Sequence, residues 1–372
     1  MKRVYTSYFQ EYSAKKIILI TGPRQSGKTT ITKMFSGKLF HLNYDNEEDR
    51  QINYEKSWDR KKDFIIFDEL HKMKNWKRWL KGLFDKEGNK PSLIVTGSAS
   101  LDIYKKIGDS LAGRYFQYRV HPLDIRELLT LNKKGDFSDI IEKLLKYGGF
   151  PEPFIEGNQK FYNLWKKTHL DIILKQDLIY QEKLKDIKSI EVLIDLLKQR
   201  VASPLSYSSL ARDLECTDKT VKRWLNTLES MYVIFKLQPF HKNVARANLK
   251  RPKYYFYDIA RATNEGAKLE NLVACSLLKE CHFRQDCLGE NWNLYYIGKK
   301  GGFEIDFLIT KDEIPNTVIE TKWSDDSVSK NFKLIAKDFP HIKTIQLVKN
   351  LKREKTFPDG TEVRSLKWLA DW

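Results

Sequence analysis

Residues 22–29 form a glycine-rich segment, Gly-Pro-Arg-Gln-Ser-Gly-Lys-Thr, which directly follows the run Lys-Ile-Ile-Leu-Ile-Thr at residues 16–21. An uninterrupted apolar run of this kind is typical of a strand that is buried on both faces of a sheet. Similar runs lie at residues 64–67 and 93–96, and helical stretches separate them. Strands that alternate with helices predict a parallel sheet with helices on both faces. The sequence therefore predicts an α/β fold whose first strand leads into the glycine-rich loop.

The chemistry of this loop suits a bound phosphate. Its glycines allow backbone N–H groups to close around a phosphate, and the helix that begins near Thr29 adds the positive end of its dipole. We expect Lys28 to contact the β- and γ-phosphates of ATP and Thr29 to ligate Mg²⁺. The predicted nucleotide-binding residues are Gly22, Pro23, Arg24, Gln25, Ser26, Gly27, Lys28, Thr29, Thr30 and Asp68.

Polar residues at later strand ends complete the predicted nucleotide site. Asp68 would hold the Mg²⁺ ion through water, and Glu69 would orient and polarise the attacking water. Ser98 is placed to sense the γ-phosphate, although a plain turn also explains it. Arg114 is a candidate for an arginine that reaches the γ-phosphate of a neighbouring subunit, and Arg24 is a weaker candidate. An intramolecular role for Arg114 fits the sequence equally well.

The middle of the chain is predicted to be helical. Residues 126–180 form a first helical region. In a second region, the helix at 210–214 is followed by a turn and by a helix at 219–229 that Asp218 caps. This spacing indicates a helix-turn-helix, and a strand at 232–235 would give it a winged form.

Basic residues are frequent in and after this second helix. From Met231 to Phe256 the chain has no acidic residue but several lysines and arginines. Such side chains bind DNA phosphates without reading the base sequence. An exposed connector is an equally good interpretation of the segment. The predicted DNA contacts are Lys219, Lys222, Arg223, Lys242, Arg246, Lys250, Arg251 and Lys253.

The overall charge agrees with a polyanionic partner. The chain has 372 residues and a formal net charge of +17. That length predicts more than one domain, and that charge attracts nucleic acids, although a lysine-rich solvated surface would have the same charge. No signal peptide and no membrane-length apolar run is found, so we expect a cytoplasmic location without a membrane partner. Cys275, Cys281 and Cys287 lie near His282, and reduced thiols are expected there rather than a metal site.

Acidic residues interrupt two apolar segments near the C-terminus. Glu320 and Lys322 point to one face of a predicted strand, and Asp306 lies in the strand before it. If these strands pair, Asp306 and Glu320 can share one Mg²⁺ or Mn²⁺ ion, and Lys322 can position the nucleophile. Glu270, in a predicted helix, could complete the acidic set, whereas a solvated edge strand is the plainer alternative. The segments concerned are strands at 254–257, 294–297, 303–309 and 316–322 and a helix at 269–279.

Taken together, these motifs resemble the prokaryotic AAA+ ATPases that carry a C-terminal domain of the PD-(D/E)xK, restriction-endonuclease-like superfamily. The resemblance covers nearly the whole chain. It implies ATP binding at Lys28 and Thr29 and metal-dependent nuclease chemistry at the C-terminal carboxylates. One departure from the pattern is Ile305, which stands where the superfamily has the proline before the aspartate. The motifs that carry the resemblance are residues 21–30, 67–69, 96–98, 110–114, 148–152, 255–258, 304–307 and 320–322 and the winged-helix segment.

The resemblance implies four domains and a DNA-processing enzyme. The expected domains are a P-loop AAA+ core at 1–125, a helical lid at 126–180, a winged helix-turn-helix at 181–250 and a nuclease-like α/β domain at 251–372. ATP hydrolysis would be coupled to Mg²⁺-dependent DNA cleavage in a homo-oligomer, which we expect to be a hexameric ring. The alternative is a nucleotide-gated signalling or scaffold ATPase whose C-terminal domain binds DNA or protein without cutting.

Overall fold

The computed structural model describes residues 3, 5–97, 111–131, 136–174, 187–241, 251–298, 303–324 and 327–372. The chain divides into two compact units. The first comprises Met1–Pro122 with Ser230–Tyr232, and the second comprises Leu123–Glu229 with Val233–Trp372. The nucleotide-binding motifs lie in the first unit, and the C-terminal carboxylates lie in the second.

A parallel sheet forms the centre of the first unit. Its strands are β1 (Ile17–Thr21), β2 (Leu39–Asn43), β3 (Phe64–Asp68), β4 (Ser92–Gly97) and β5 (Tyr115–Arg119). They pair in parallel in the order β2-β3-β4-β1-β5. Every residue of β1 and β4 is buried, as their continuous apolar sequences predict. The predicted α/β fold with a parallel sheet is confirmed, and the carboxyl ends of β1, β3 and β4 lie side by side.

Helices cover this sheet. In the described part of the first unit they are α1 (Thr6–Glu11), α2 (Lys28–Thr32), α3 (Glu47–Glu55), α4 (Trp76–Glu87) and a 3₁₀ turn at Leu70–Lys72. Phe67 of β3 contacts Trp58 and Trp79 edge-on, with ring centroids 5.6 Å and 5.5 Å away. Edge-on aromatic packing is favourable, and these rings are part of the core of the unit. Packing of Phe67 against α4 therefore sets the position of the next residue, Asp68.

The second unit contains the remaining described helices. They are α5 (Ile125–Leu131), α6 (Phe137–Tyr147), α7 (Pro151–Glu156), α8 (Gln159–Ile172), α9 (Ile187–Gln199), α10 (Tyr207–Asp213), α11 (Asp218–Ser230), α12 (Glu265–Leu288), α13 (Lys330–Asp338), α14 (Trp368–Asp371) and a 3₁₀ turn at Ile259–Arg261. The buried Lys279 of α12 forms ion pairs with Asp124, at 2.9 Å, and with Glu127 of α5. Loss of one partner would leave a buried charge unpaired, so these contacts hold α5 to α12 firmly. No helix among the residues described is both long and apolar enough to cross a membrane.

The predicted pair of short helices is present as α10 and α11, with two differences in detail. Thr217, rather than Asp218, caps α11, because its hydroxyl accepts a 3.2 Å hydrogen bond from the N–H of Thr220. The strand expected at 232–235 is β6 (Ile234–Leu237), because Tyr232 takes a positive φ of 56° in the turn before it. β6 pairs antiparallel with β7 (Lys253–Phe256).

A mixed sheet completes the second unit. Its strands are β8 (Trp292–Gly298), β9 (Glu304–Lys311), β10 (Ile314–Lys322), β11 (Lys343–Val348), β12 (Lys355–Thr356) and β13 (Glu362–Ser365). Their order is β12-β13-β11-β10-β9-β8, and β9 pairs antiparallel with both β8 and β10. The helix predicted at 269–279 is the longer α12, which Asn264 caps at its start and Gly289 ends with a φ of 70°. The sheet brings the predicted acidic strands together, and α12 supplies the predicted helical glutamate.

Candidate functional site

The glycine-rich loop turns sharply at the end of β1. Gly22 has a φ of 144°, and a β-carbon at this position would overlap the carbonyl oxygen of Val120. Only glycine avoids both the backbone strain and the overlap. The buried guanidinium of Arg3 braces the loop, because it donates hydrogen bonds to the carbonyls of Ser26, at 2.9 Å, and His121, at 2.6 Å. Arg3 was not predicted from the sequence, since nothing local connects it to the loop.

Lys28 lies inside the loop rather than on its surface. Its side chain is buried, and its ammonium donates to the carbonyl oxygens of Gly22, at 3.0 Å, and Pro23, at 2.6 Å. The loop thus wraps around a positive charge at the start of α2. A positive charge next to a helix N-terminus is well placed to attract a phosphate.

The hydroxyl of Thr29 joins the loop to β3. It donates a 2.8 Å hydrogen bond to Oδ2 of Asp68, while the hydroxyl of Thr96 donates to Oδ1 of the same carboxylate. A hydroxyl and a carboxylate that meet in this way are oxygen ligands of the type that Mg²⁺ prefers, so these residues fit the ion. Thr96 is fully buried and was not predicted, although its position at the end of β4 beside Ser98 was a usable signal.

Glu69 has an unusual backbone. Its φ of 55° and ψ of 24° lie in the left-handed region, which is strained for a residue with a side chain and is often found at functional sites. Its buried Oε2 has no hydrogen-bond partner among the described residues, but lies 3.6 Å from Nε2 of His71 and 3.7 Å from Nζ of Lys72. Nε2 of His41 lies 3.8 Å from Oδ2 of Asp68. Basic side chains therefore flank both predicted acidic residues.

Arg114 is engaged within its own unit. Its guanidinium makes two hydrogen bonds to the carboxylate of Asp85, at 2.6 Å and 3.3 Å, and one to the carbonyl of Ala112 at 3.2 Å. Arg24 is half-buried in the loop. Ser98 lies outside the described residues. The pairing with Asp85 agrees with the intramolecular alternative for Arg114, and its role in a neighbouring subunit stays a prediction.

The two predicted acidic strands pair as expected. β9 and β10 are antiparallel with Phe307 opposite Ile319, so the preceding Asp306 lies next to Glu320 on one face. Oδ2 of Asp306 accepts a 2.8 Å hydrogen bond from the N–H of Thr321. Nζ of Lys322 lies 3.5 Å from Oε2 of Glu320. Asp306, Glu320 and Lys322 are therefore neighbours, as the alternation of the strands predicted.

Glu270 has different partners from those predicted. Its Oε1 accepts hydrogen bonds from Nζ of Lys253, at 3.0 Å, and from the hydroxyl of Tyr255 at 2.8 Å. The same Lys253 ammonium lies 2.6 Å from Oε1 of Glu304. We refer to Lys253, Glu270, Glu304, Asp306, Glu320 and Lys322 as the acidic cluster.

The electrostatics of the acidic cluster follow from its burial. Burial raises the pKa of Asp306 well above its usual value, and the nearby carboxylate of Glu270 adds to the effect. Burial also raises the pKa of Glu270, against the opposing effect of Lys253. Burial alone would lower the pKa of Lys253, but the surrounding carboxylates outweigh it and raise that pKa above its ordinary value.

The cluster does not have the geometry of the predicted metal centre. Among the described residues, no group of three or more His, Cys, Asp or Glu side chains is arranged to hold a metal ion. Glu270 is turned toward Lys253 and Tyr255 instead of sharing an ion with Asp306 and Glu320. The residues as arranged therefore do not fit the Mg²⁺ or Mn²⁺ ion that the nuclease interpretation requires.

The residues that were predicted to contact DNA differ in their exposure to solvent. Lys253 is 0% exposed, because β7 is buried along its whole length, so the prediction that it contacts DNA is wrong. Lys242, Arg246 and Lys250 lie outside the described residues. The other residues predicted to contact DNA are exposed on the surface: Lys219, Lys222, Arg223 and Arg251.

Cys275 has a structural environment. Its thiol donates to the carbonyl of Phe256, at 3.3 Å, and accepts from Nδ2 of Asn271 at 3.4 Å. Burial raises the pKa of this thiol, so it is a poor nucleophile and a poor metal ligand. This agrees with the expectation of reduced thiols at this position.

Two different family models match two successive segments of the chain. Residues 14–129 match a family model described as an AAA domain, and residues 138–264 match one described as a domain of unknown function. An uncharacterized protein of Methanocaldococcus jannaschii is 28% identical over 333 residues, which cover 79% of this chain and 72% of that protein. An uncharacterized protein of Haemophilus influenzae is 23% identical over 397 residues, with 96% of this chain and 94% of that protein covered. The two parts therefore occur together in relatives.

One solved structure is also similar. It is a STAND signal transduction ATPase with a tetratricopeptide repeat sensor from Pyrococcus horikoshii, 16% identical, with a TM-score of 0.24. The match covers 75% of this chain but 45% of that one, so this chain spans less than half of that structure.

The family match and the geometry of the loop agree. Residues 14–129 contain the phosphate-binding loop, the Thr29–Asp68 contact and the parallel sheet. The N-terminal part of the chain is therefore an AAA-type, P-loop ATPase-like domain, and this similarity supports a nucleotide-dependent activity.

Proposed function

We propose that this protein binds and hydrolyses ATP and couples ATP hydrolysis to DNA processing. The observation that carries the first part is the hydrogen bond from Thr29 to Asp68. It holds a loop hydroxyl and a strand carboxylate together beside Lys28, where the β- and γ-phosphates would bind. When bound there, Mg²⁺ would neutralise phosphate charge between Thr29 and Asp68.

The other residues of the site then take defined roles. Lys28, now hydrogen-bonded to the loop carbonyls, would turn its ammonium to the phosphate oxygens. Glu69 would orient a water molecule and accept its proton, and its strained backbone is consistent with a residue placed for chemistry rather than for stability. The contacts of this chain and the similarity of residues 14–129 to AAA domains support these roles.

A turnover assay tests this proposal. Phosphate release from ATP and the binding of a fluorescent ATP analogue would be measured for the wild type, Lys28→Ala and Lys33→Ala. Lys33 is an exposed lysine at the end of α2 and serves as the matched control. We expect turnover to vanish in Lys28→Ala and to persist in Lys33→Ala. Wild-type turnover in Lys28→Ala would reject the nucleotide site.

We further propose that the exposed side of α11 binds DNA. Lys219, Lys222 and Arg223 are exposed there, while Val221, Trp224 and Leu225 on the opposite side are buried. Three helices followed by the β6–β7 pair support the winged-helix interpretation. The net charge of +17 supports a polyanionic partner.

Salt dependence separates specific phosphate contacts from net charge. The triple change of Lys219, Lys222 and Arg223 to Ala would be compared with the same change at Lys330, Lys333 and Lys337, which are exposed on α13. Each lost phosphate contact lowers the slope of log K against log salt by about 0.9. We expect the α11 variant alone to lose slope and affinity. An equal loss in both variants would show that binding depends on net charge only.

DNA cleavage at the acidic cluster is the competing interpretation of the C-terminal part. The neighbouring Asp306, Glu320 and Lys322 support it. The Lys253 contacts to Glu270 and Glu304 support the alternative, in which this part binds DNA or protein without cutting. Linear, single-stranded and four-way-junction DNA, incubated with Mg²⁺ or Mn²⁺ and with or without ATP, would distinguish them. Cleavage that disappears in Asp306→Ala would establish the nuclease.

A further inference from the structure

The Lys253 side chain is the centre of the acidic cluster. It is 0% exposed, and its ammonium bridges two elements by contacting Glu270 of α12 at 3.0 Å and Glu304 of β9 at 2.6 Å. The same ammonium lies 5.4 Å from the ring centroid of Tyr296. A fully buried ammonium is tolerated only where carboxylates or other acceptors replace water. The ammonium of Lys253 therefore needs the carboxylates in order to be buried, and the carboxylates need its positive charge.

Three of the carboxylates also accept hydrogen bonds from other groups of the protein. Glu270 accepts from the hydroxyl of Tyr255, and Asp306 accepts from the N–H of Thr321. Glu320 accepts a 3.2 Å hydrogen bond from Nδ2 of Asn331. A divalent ion bound through these oxygens would have to displace these donors, and the nearby ammonium would repel it. Lys253 thus supplies the positive charge that Glu270 and Glu304 face in the structure.

We propose that Lys253 is the resident cation of the acidic cluster. Its ammonium replaces the positive charge of a divalent ion, so the native cluster excludes Mg²⁺ and Mn²⁺. Removal of that ammonium releases Glu270 and Glu304, which can then turn toward Asp306 and Glu320 and take up a divalent ion with them. This property belongs to the second unit and does not depend on ATP binding or hydrolysis in the first.

Mn²⁺ binding without nucleotide tests the proposal directly. All proteins would be full-length and would carry Asp68→Asn, so that an ion at the nucleotide site does not enter the count. Bound Mn²⁺ would be measured by electron paramagnetic resonance in this parent and in four variants of it: Lys253→Met, Lys253→Arg, Asp306→Asn, and Lys253→Met with Asp306→Asn. We expect one Mn²⁺ per chain in Lys253→Met, bound at least ten times more tightly than by the parent. Binding should be lost in the double variant, and Lys253→Arg should match the parent.

Two results would overturn the proposal. One is a parent protein that binds Mn²⁺ at the cluster and loses it on Asp306→Asn, because the ion would then coexist with Lys253. The other is a folded Lys253→Met variant, checked by circular dichroism, that binds no Mn²⁺. If Lys253→Met does not fold, thermal melting of the parent in Mn²⁺ and in EDTA tests the proposal instead. A melting temperature unchanged between Mn²⁺ and EDTA supports a resident lysine, and a rise with Mn²⁺ that Asp306→Asn removes refutes it.

Discussion

The hydroxyl of Thr29 lies 2.8 Å from Oδ2 of Asp68, so that two motifs 39 residues apart meet at one carboxylate. Thr96 donates to the other oxygen of the same group. Asp68 is thus held between hydroxyls from α2 and β4 and cannot rotate without breaking a hydrogen bond. Three parallel strands, β1, β3 and β4, end at this point because their apolar sequences place them next to one another in the sheet. We refer to these two hydrogen bonds as the clamp on Asp68, and the one from Thr96 was not predicted from the sequence.

Thr96→Val should slow ATP turnover without preventing ATP binding. Valine has the shape of threonine but lacks the hydroxyl, so Asp68 would lose one of its two hydroxyl donors. A hydrogen bond to a charged group is worth about 1.5–3 kcal/mol, which corresponds to roughly a tenfold or larger fall in kcat. Phosphate release and ATP-analogue binding would measure the two properties. Thr96→Ser keeps the hydroxyl and should remain close to wild type, and a kcat for Thr96→Val equal to that of Thr96→Ser would contradict the clamp.

Arg114→Ala tests whether this arginine acts on a neighbouring subunit. If it does, the variant should retain ATP binding and lose hydrolysis, because the developing phosphate charge is no longer stabilised. Asp85→Asn removes the intramolecular partner of Arg114 but keeps the arginine, and should retain turnover. Steady-state turnover would be measured for both variants over a range of protein concentrations, and binding of the fluorescent ATP analogue would be measured beside it. Unchanged turnover in Arg114→Ala would leave only the surface ion pair with Asp85, which is worth about 0–1 kcal/mol.

Gly148→Ala should destabilise the second unit more than an ordinary glycine change does. Gly148 has a φ of 72°, and an added β-carbon would overlap Oδ1 of Asp258. That carboxylate cannot easily move, because its Oδ2 accepts from the hydroxyl of Tyr162 at 3.0 Å and lies 3.1 Å from Nε of Arg261. We expect a loss of about 1–3 kcal/mol in the free energy of unfolding.

Gly88→Ala is the matched control for that change. Gly88 has nearly the same backbone conformation, with a φ of 69° and a ψ of −148° against 72° and −177° at Gly148, but nothing lies within 4 Å of its added β-carbon. It reports backbone strain alone, which is worth at least about 1 kcal/mol. Urea unfolding of both variants would give the difference, and equal losses would show that the contact with Asp258 has no effect.

Asp258→Asn should change how stability depends on pH. Burial raises the pKa of Asp258, although Arg261 and Tyr162 oppose the shift. A carboxyl with a raised folded pKa is protonated in both states at low pH, and its unfolded form ionises first as the pH rises. Its contribution to stability is therefore present below the ordinary pKa of about 3.9 and is lost as the pH rises through the raised value. Urea unfolding at several pH values should show this loss in the wild type and not in Asp258→Asn. Parallel curves for the two proteins would contradict it.

The nucleotide-binding part of the fold could be predicted because its signals are local. β1, β3 and β4 are continuous apolar runs, and the glycine-rich loop between β1 and α2 is a contiguous motif. The neighbouring positions of Asp306 and Glu320 could also be predicted, since alternation along two successive strands is local information. In these cases one short segment, or two joined by a tight turn, contains the whole pattern.

Contacts between distant segments could not be predicted in this way. Arg3 braces the loop through Ser26 and His121, yet the arginine precedes β1 in the chain. Thr217 rather than Asp218 caps α11, because the geometry of the turn decides which of two adjacent oxygen-bearing side chains faces the helix N–H groups. Neither the contacts of Arg3 nor the capping residue of α11 can be read from the composition or the periodicity of the sequence.

Lys253 illustrates the division most clearly. In the sequence it is one of several basic residues in a segment without acids, and that pattern indicates a solvated or DNA-binding surface. Residue types and spacing sufficed for the phosphate-binding loop, the parallel sheet and the pairing of the acidic strands, because each depends on neighbours along the chain. Tertiary packing alone buried Lys253 and turned it toward Glu270 and Glu304, because the stability of a buried charge depends on which opposite charges the fold brings within reach.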